Sequence, residues 1–244
     1  MAWLWTVMRP WAVPLLKVRM KTKTLEGTEH IPKQGAAIIA SNHCSGLDHL
    51  VLPAMTKRVI YNISKIEHFQ KPIKAWFFRN WGVIPLDRGR GDNAALEQAK
   101  DVLRSGELFC IYPEGTRTLD GKLHKGHTGV ARLALETGVP VIPVAMLNTF
   151  EKKRKGQKGM TPGVVTGGRA GPPMTWPELV GRQDDRKACR QVTDEIMHAI
   201  AALSGQEYVD EYTYNPVYDK DQDGRIDRKE RKAQDADDGL THQE

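Results

Sequence analysis

The chain has 244 residues, 27% charged and 40% hydrophobic, which suffices for one domain with a proper core plus appendages and excludes collagen-like, low-complexity and wholly disordered chains. Its formal charge is +6, and residues 219–244 hold seven Asp, two Glu and six Lys/Arg, so residues 1–218 carry +9. A basic body of that kind points to a polyanionic partner: nucleic acid, an anionic membrane surface or phosphorylated substrates.

The first twenty residues, MAWLWTVMRPWAVPLLKVRM, hold three of the six tryptophans, Trp3, Trp5 and Trp11, interrupted by Arg9-Pro10 and Pro14. They open without a basic region and lack a small-residue cleavage site, so they do not read as a secretory signal. No run of about 20 apolar residues is present to span a bilayer. Tryptophan beside Arg and Lys suits a segment lying in a membrane interface, with rings at headgroup level and cations toward anionic lipid. The alternative is a helix packed on the domain's own core. Residues 1–29 are read as an amphipathic membrane-interface segment.

From residue 36, short apolar runs alternate with amphipathic stretches. AAIIAS (36–41), RVIYNI (58–63), GVIPL (82–86), LFCIY (108–112) and VPVIPVAM (139–146) predict buried strands. Residues 92–105 predict a helix with Asp92 as cap, an apolar face of Ala95, Leu96, Ala99, Val102 and Leu103, and a stop at Gly106. Residues 127–137 predict a second helix, closed by Gly138. Residues 184–203 predict a third, with Ala188, Val192, Ile196, Ala199, Ile200 and Leu203 at helical spacing. This alternation means an α/β domain, a mainly parallel sheet flanked by helices, over residues 30–205. Chemistry in such sheets gathers at the carboxyl ends of the strands. Cys44, Cys110 and Cys189 are widely spaced in apolar settings and fit a reducing compartment. Residues 151–160, EKKRKGQKGM, carry five Lys/Arg and one Glu, either as a solvated loop or as a patch for phosphate headgroups.

The first strand runs directly into Asn42-His43-Cys44-Ser45-Gly46-Leu47-Asp48. Ser45 can cap a following helix, and Asp48 can fold back onto one ring nitrogen of His43. That bond fixes the tautomer, stabilises the imidazolium and leaves the other nitrogen to take a proton. It is the base-and-orienter part of a triad without a protein nucleophile, so the nucleophile is a substrate hydroxyl. A structural His–Asp pair is the plainer reading. Cys44 points away from its neighbour and is read as packing, and no G-x-S-x-G elbow occurs.

Two further strand ends carry cations. Leu108 to Arg117 spills from a buried strand into Glu114-Gly115-Thr116-Arg117, where Gly115 allows close backbone approach and Thr116 and Arg117 supply donors suited to phosphate. Gly82-Val-Ile-Pro-Leu-Asp87-Arg88 closes another strand on a guanidinium, which a surface ion pair with Asp87 also explains. Together with His43 and Asp48, these residues describe a base beside a phosphate clamp.

In this order, His43-x4-Asp48, Gly82–Arg88, Phe109-Cys-Ile-Tyr-Pro-Glu-Gly-Thr-Arg117 and Val139-Pro-Val-Ile-Pro143 resemble the four blocks of the glycerolipid acyltransferase family, most closely its bacterial 1-acylglycerol-3-phosphate acyltransferases. The resemblance implies that His43 is the general base, that Asp48 orients it, and that Arg88, Glu114, Gly115 and Arg117 shape the acceptor pocket. Lys65 and Arg132 fit the pattern less strictly as further phosphate contacts, and His127 is left structural. The implied reaction is direct acyl transfer from acyl-CoA or acyl-carrier protein to a lysophospholipid hydroxyl. No cofactor is required, and the implied location is the cytoplasmic face of an anionic membrane, peripheral or monotopic. The cluster Trp76-Phe-Phe-Arg-Asn-Trp81 either lines the acyl groove or is core.

The tail, residues 206–244, contains Asp219, Asp221, Asp223, Arg225, Asp227 and Glu230 at the ligand positions of a twelve-residue EF-hand loop, with Gly224 at the sixth position. Tyr212-Thr-Tyr-Asn-Pro216 is a poor entering helix and no second loop pairs with this one, so a calcium loop and a solvated tail both stand. Two rival functions remain. A nucleic-acid binder fits the charge but shows no recognised module and no aromatics interleaved with the basic run. A calcium-responsive membrane adaptor leaves the intact His43/Asp48 pair unexplained.

Overall fold

The structure is a computed structural model and describes residues 3–86 and 92–213. Seven strands form the main sheet: β1 (Thr22–Glu26), β2 (Ala37–Ser41), β3 (Ile60–Lys65), β4 (Val83–Leu86), β5 (Leu108–Ile111), β7 (Val141–Leu147) and β8 (Thr166–Ala170). Their order is β1-β8-β7-β2-β5-β3-β4. Every neighbouring pair is parallel except β7 and β8. A small second sheet pairs β6 (Leu123–His124) with β9 (Tyr208–Val209). The five predicted strands are present with ends shifted by a few residues, and the predicted α/β class holds.

Both faces of the sheet are covered, which is why its central strands read as unbroken apolar runs. Successive residues of β2 point to opposite faces. Ile38 and Ala40 join one core with Phe109, Val130, Leu133, Val192 and Ile196, under α4 (Asp92–Arg104), α5 (Gly129–Thr137) and α7 (Arg186–Ser204). Ala37 and Ile39 join the other core with Leu108, Cys110, Val51, Leu52 and Met20, under α1 (Trp3–Met20) and α2 (Asp48–Val51). The three predicted helices are α4, α5 and α7. α4 is described from Asp92 onward, and Asp185 caps α7 by accepting the Ala188 N–H at 3.1 Å.

Two expected boundaries move. Residues 1–29 are not a separate segment, because β1 is the edge strand of the main sheet, paired with β8. Nor does the domain end at residue 205: β9 pairs with β6, and Gln206 donates to Gly121 O at 2.7 Å. The tail therefore begins beyond Thr213, and the loop 219–230 lies outside the described residues, as does Arg88.

Helix α1 docks through Val13 and Met20, which are buried. On the other side, about half a turn away, Val7, Trp11, Leu15 and Val18 form a stripe at helical spacing, 59%, 81%, 69% and 77% exposed. Helix α3 (Pro72–Asn80) adjoins α1 and adds Ile73 and Trp76, 84% and 54% exposed. The 76–81 cluster is thus not core throughout. Phe77 stacks on Trp81 at 5.1 Å, while Trp76 faces outward. Among the described residues, no helix is long and apolar enough to cross a membrane.

Candidate active site

The segment after β2 and the segment after β5 emerge from adjacent parallel strands. This adjacency brings His43 and Glu114 together across 71 residues of sequence. Asp48 opens α2 and turns its carboxylate back: Oδ2 accepts His43 Nδ1–H at 2.8 Å and the backbone N–H groups of Cys44 and Ser45 at 2.9 Å each. Because Oδ2 already takes two N–H donors, it is an acceptor, and Nδ1 must carry the proton. Nε2 is then the nitrogen left to accept one. Asp48 is fully buried and His43 only partly, so the pair opens to substrate on the histidine side alone.

The His43 backbone is held from both directions. Its N–H donates to Glu114 Oε2 at 2.9 Å, and its carbonyl accepts the Thr118 N–H at 2.9 Å. Glu114 Oε1 accepts the His124 N–H at 3.1 Å. Glu114 is 2% exposed, and burial pushes its carboxyl up to about 8 against the two N–H donors. Glu114, expected to shape the acceptor pocket, lies beneath the loops, where its carboxyl braces the His43 and His124 backbones. The His43 ring stacks on Tyr112 at 4.1 Å, and Tyr112 in turn meets His49 Nδ1 through its hydroxyl at 3.2 Å. Burial pushes the Tyr112 phenol well above its ordinary value, so it stays neutral.

Asn42 extends the β2–β7 pairing by one residue, with its amide exchanging hydrogen bonds with the Met146 backbone and donating to Gln206 Oε1 at 2.6 Å. Cys44 is buried in the same network, as a packing role requires. All three cysteines are buried and free. Ser45 does not cap α2. Its Oγ accepts the Leu47 N–H at 3.3 Å and donates to Lys153 O at 2.6 Å.

Gly115 has φ +68, a backbone that favours glycine, and a Cβ there would meet the His127 ring at 3.2 Å. His127 itself stacks on Tyr212 at 4.6 Å, in keeping with a structural role. Arg117 lies against Gly46, its terminal nitrogen 3.4 Å from where a Cβ would stand. Among the described residues no carboxylate pairs with it, and Thr116 is partly exposed beside it. Lys65 ends β3, one strand beyond β5, so its backbone is on the same rim. Arg132 sits on α5 near Cys189 of α7, where its charge lowers a thiol that burial raises. No described contact links Arg132 to the His43 loop. The sequence reading assigned no role to Tyr112, His49, Asn42, Thr118 or Gln206; of these, Tyr112 lies within a motif and Asn42 borders one, so both were open to notice.

A histidine oriented by a buried carboxylate, in a loop whose Gly46 lies against a guanidinium and with no protein nucleophile hydrogen-bonded to it among the described residues, can deprotonate a substrate hydroxyl next to an anionic group. The family profile described as Acyltransferase matches residues 23–147, just over half of the chain. The chloroplastic 1-acyl-sn-glycerol-3-phosphate acyltransferase of Arabidopsis thaliana is 34% identical over 139 residues, covering 56% of this chain and 39% of that protein. The 1-acyl-sn-glycerol-3-phosphate acyltransferase of Borreliella burgdorferi is 31% identical over 125 residues, half of each chain. This chain thus spans about half or less of the curated relatives it matches. The crystal structure of the 1-acyl-sn-glycerophosphate acyltransferase PlsC from Thermotoga maritima is 26% identical, with a TM-score of 0.66 over 81% of this chain and 80% of that one. Profile, relatives, fold and strand-end motifs agree: the chain belongs to the acyltransferase family.

Proposed function

We propose that this protein transfers a fatty acyl group from acyl-CoA or acyl-carrier protein to the free hydroxyl of 1-acylglycerol 3-phosphate, giving phosphatidic acid. The observation that carries the reading is the His43 Nδ1–Asp48 Oδ2 bond in a loop braced by Glu114 and Thr118, with Arg117 against Gly46. His43 Nε2 takes the hydroxyl proton as the oxygen attacks the thioester carbonyl. The new C–O ester bond forms, the C–S bond breaks, and the imidazolium returns its proton to the departing thiolate. Asp48 stabilises that imidazolium throughout. Arg117, with Gly115 and Thr116 in the same turn, holds the acceptor's phosphate so that its hydroxyl stays beside the base, and by the family resemblance Arg88 and Lys65 add to that clamp.

The apolar stripe on α1 and the exposed Ile73 and Trp76 on α3 support a monotopic location on an anionic membrane surface. Transfer needs no cofactor. Calcium at residues 219–230, carried by the ligand spacing alone, is an accessory ligand and takes no part in the transfer.

The test is an assay of the purified full chain with one labelled acyl-CoA and a panel of acceptors, following free thiol. Release that depends on lysophosphatidate is expected. Equal release with glycerol 3-phosphate or other lysolipids would contradict the acceptor assignment.

A further inference from the structure

Across the carboxyl edge of the sheet, the segments after β7, β2 and β5 stand side by side. The middle one carries His43. The β5 segment carries Arg117, the cation placed for the acceptor's phosphate. On the opposite flank, β7 leads through α6 (Thr149–Lys152) into the basic loop 153–160, which returns to β8.

That loop is fixed to the catalytic segment. Ser45 Oγ donates to Lys153 O at 2.6 Å, and Thr161 N–H donates to Lys152 O at 2.8 Å to close its base. Buried Lys152 donates from Nζ to Val164 O at 3.2 Å. Arg154 lies over the Phe150 ring at 5.0 Å, and its backbone N–H and carbonyl are tied to Gln157. Among the described residues, no carboxylate pairs with Arg154, Lys155 or Lys158, all three of them exposed. A shallow concavity of about 700 Å³ opens here, lined by Arg154, Lys155, Gln157, Thr161 and Glu151.

Cations left without counter-ions beside a reaction centre mark the place of a polyanion. The acceptor's phosphate is too close to its reacting hydroxyl to reach this flank while Arg117 holds it. In acyl-CoA, by contrast, a long pantetheine arm separates the thioester from the phosphates. A volume of this size suits a small ligand better than the face of a carrier protein. Glu151, which also lines the concavity, offers an acceptor to an adenine amine or a ribose hydroxyl.

We propose that the loop 153–158 binds the phosphate-bearing nucleotide end of the acyl-CoA donor, on the flank of His43 opposite the acceptor clamp. The inference rests on the acyl-transfer reading above and adds where the donor lies.

The experiment compares full-length protein with the variant R154A/K155A/K158A, and with K155E alone in case the triple variant is poorly folded. Activity is measured in neutral detergent micelles, and free CoA is titrated calorimetrically into each protein. The expected result is a rise of roughly tenfold or more in both the KM for acyl-CoA and the Kd for CoA, with the KM for lysophosphatidate within about twofold of wild type. Unchanged CoA binding overturns the proposal. So does a rise confined to the acceptor's KM, a loss seen only in sedimentation with phosphatidylglycerol vesicles, or a defect seen only with acyl-carrier protein. A wild type that releases thiol with no acceptor removes the acyl-transfer reading instead, and the CoA titration still decides the site.

Discussion

The backbone N–H of His43 donates to the buried carboxylate of Glu114 at 2.9 Å, so the acid of the second motif fixes the position of the base in the first. The two strands that deliver these residues are hydrogen-bonded neighbours, and the brace completes at the loop level what the sheet begins.

Glu114 also makes stability depend on pH. Its carboxyl is raised from 4.5 to about 8, so between those values the folded chain holds a proton that the unfolded chain has released. Its contribution therefore falls as pH rises through that window. Near pH 5 the protonated carboxyl already sets an O–H among its two N–H donors, so E114Q, a neutral mimic of that form, should cost at most about 1 kcal/mol there. The glutamine does not titrate, so its deficit should shrink toward pH 8. Melting temperatures of both proteins across this range check the sign, and a deficit that widens with pH would contradict it.

Arg117 is assigned to the acceptor's phosphate. A charge-assisted hydrogen bond of roughly 1.5–3 kcal/mol corresponds to a rise of about ten- to a hundredfold in the KM for lysophosphatidate in R117A. The KM for acyl-CoA should move little. Steady-state kinetics with each substrate varied in turn separates the two, and the reverse pattern would misplace the phosphate.

The α1 stripe touches no core, so charge can be introduced there at little cost to the fold. W11E/L15E/V18E should sediment far less with phosphatidylglycerol vesicles while its stability stays within about 0.5 kcal/mol per site. Undiminished sedimentation would remove α1 from the membrane contact.

The calcium loop stands on spacing alone. Calorimetry of the full chain should show one calcium site that weakens by about tenfold or more in E230Q, which lacks the bidentate ligand. Acyl transfer should survive chelation, because no tail ligand belongs to the catalytic pair. Absence of calcium heat in the wild type would leave a solvated tail.

The central strands were legible in the sequence because each is an apolar run buried on both faces: Ala37 to Ala40 and Leu108 to Cys110 are fully or almost fully buried. β1 and β8 were not. TKTLE and TGGRA lack such runs, and their pairing depends on the other strand, with Gly167 leaving room where a Cβ would stand 2.7 Å from Thr24 O. His43 and Asp48 were legible because their contact is local. The bracing contacts of Glu114 were not legible because its partners, the His43 and His124 N–H groups, come from segments whose meeting only the tertiary fold dictates. Gln206 escaped for the same reason, reaching Asn42 across 164 residues.

The account turns on His43 as the base. Single-turnover thiol release from acyl-CoA, with lysophosphatidate saturating, tests this most directly when wild type is compared with H43A and D48N. A loss of about a thousandfold or more is predicted for H43A and about a hundredfold or more for D48N, with far-UV circular dichroism unchanged in both. An H43A variant that is folded and still transfers acyl groups at close to the wild-type rate would contradict it.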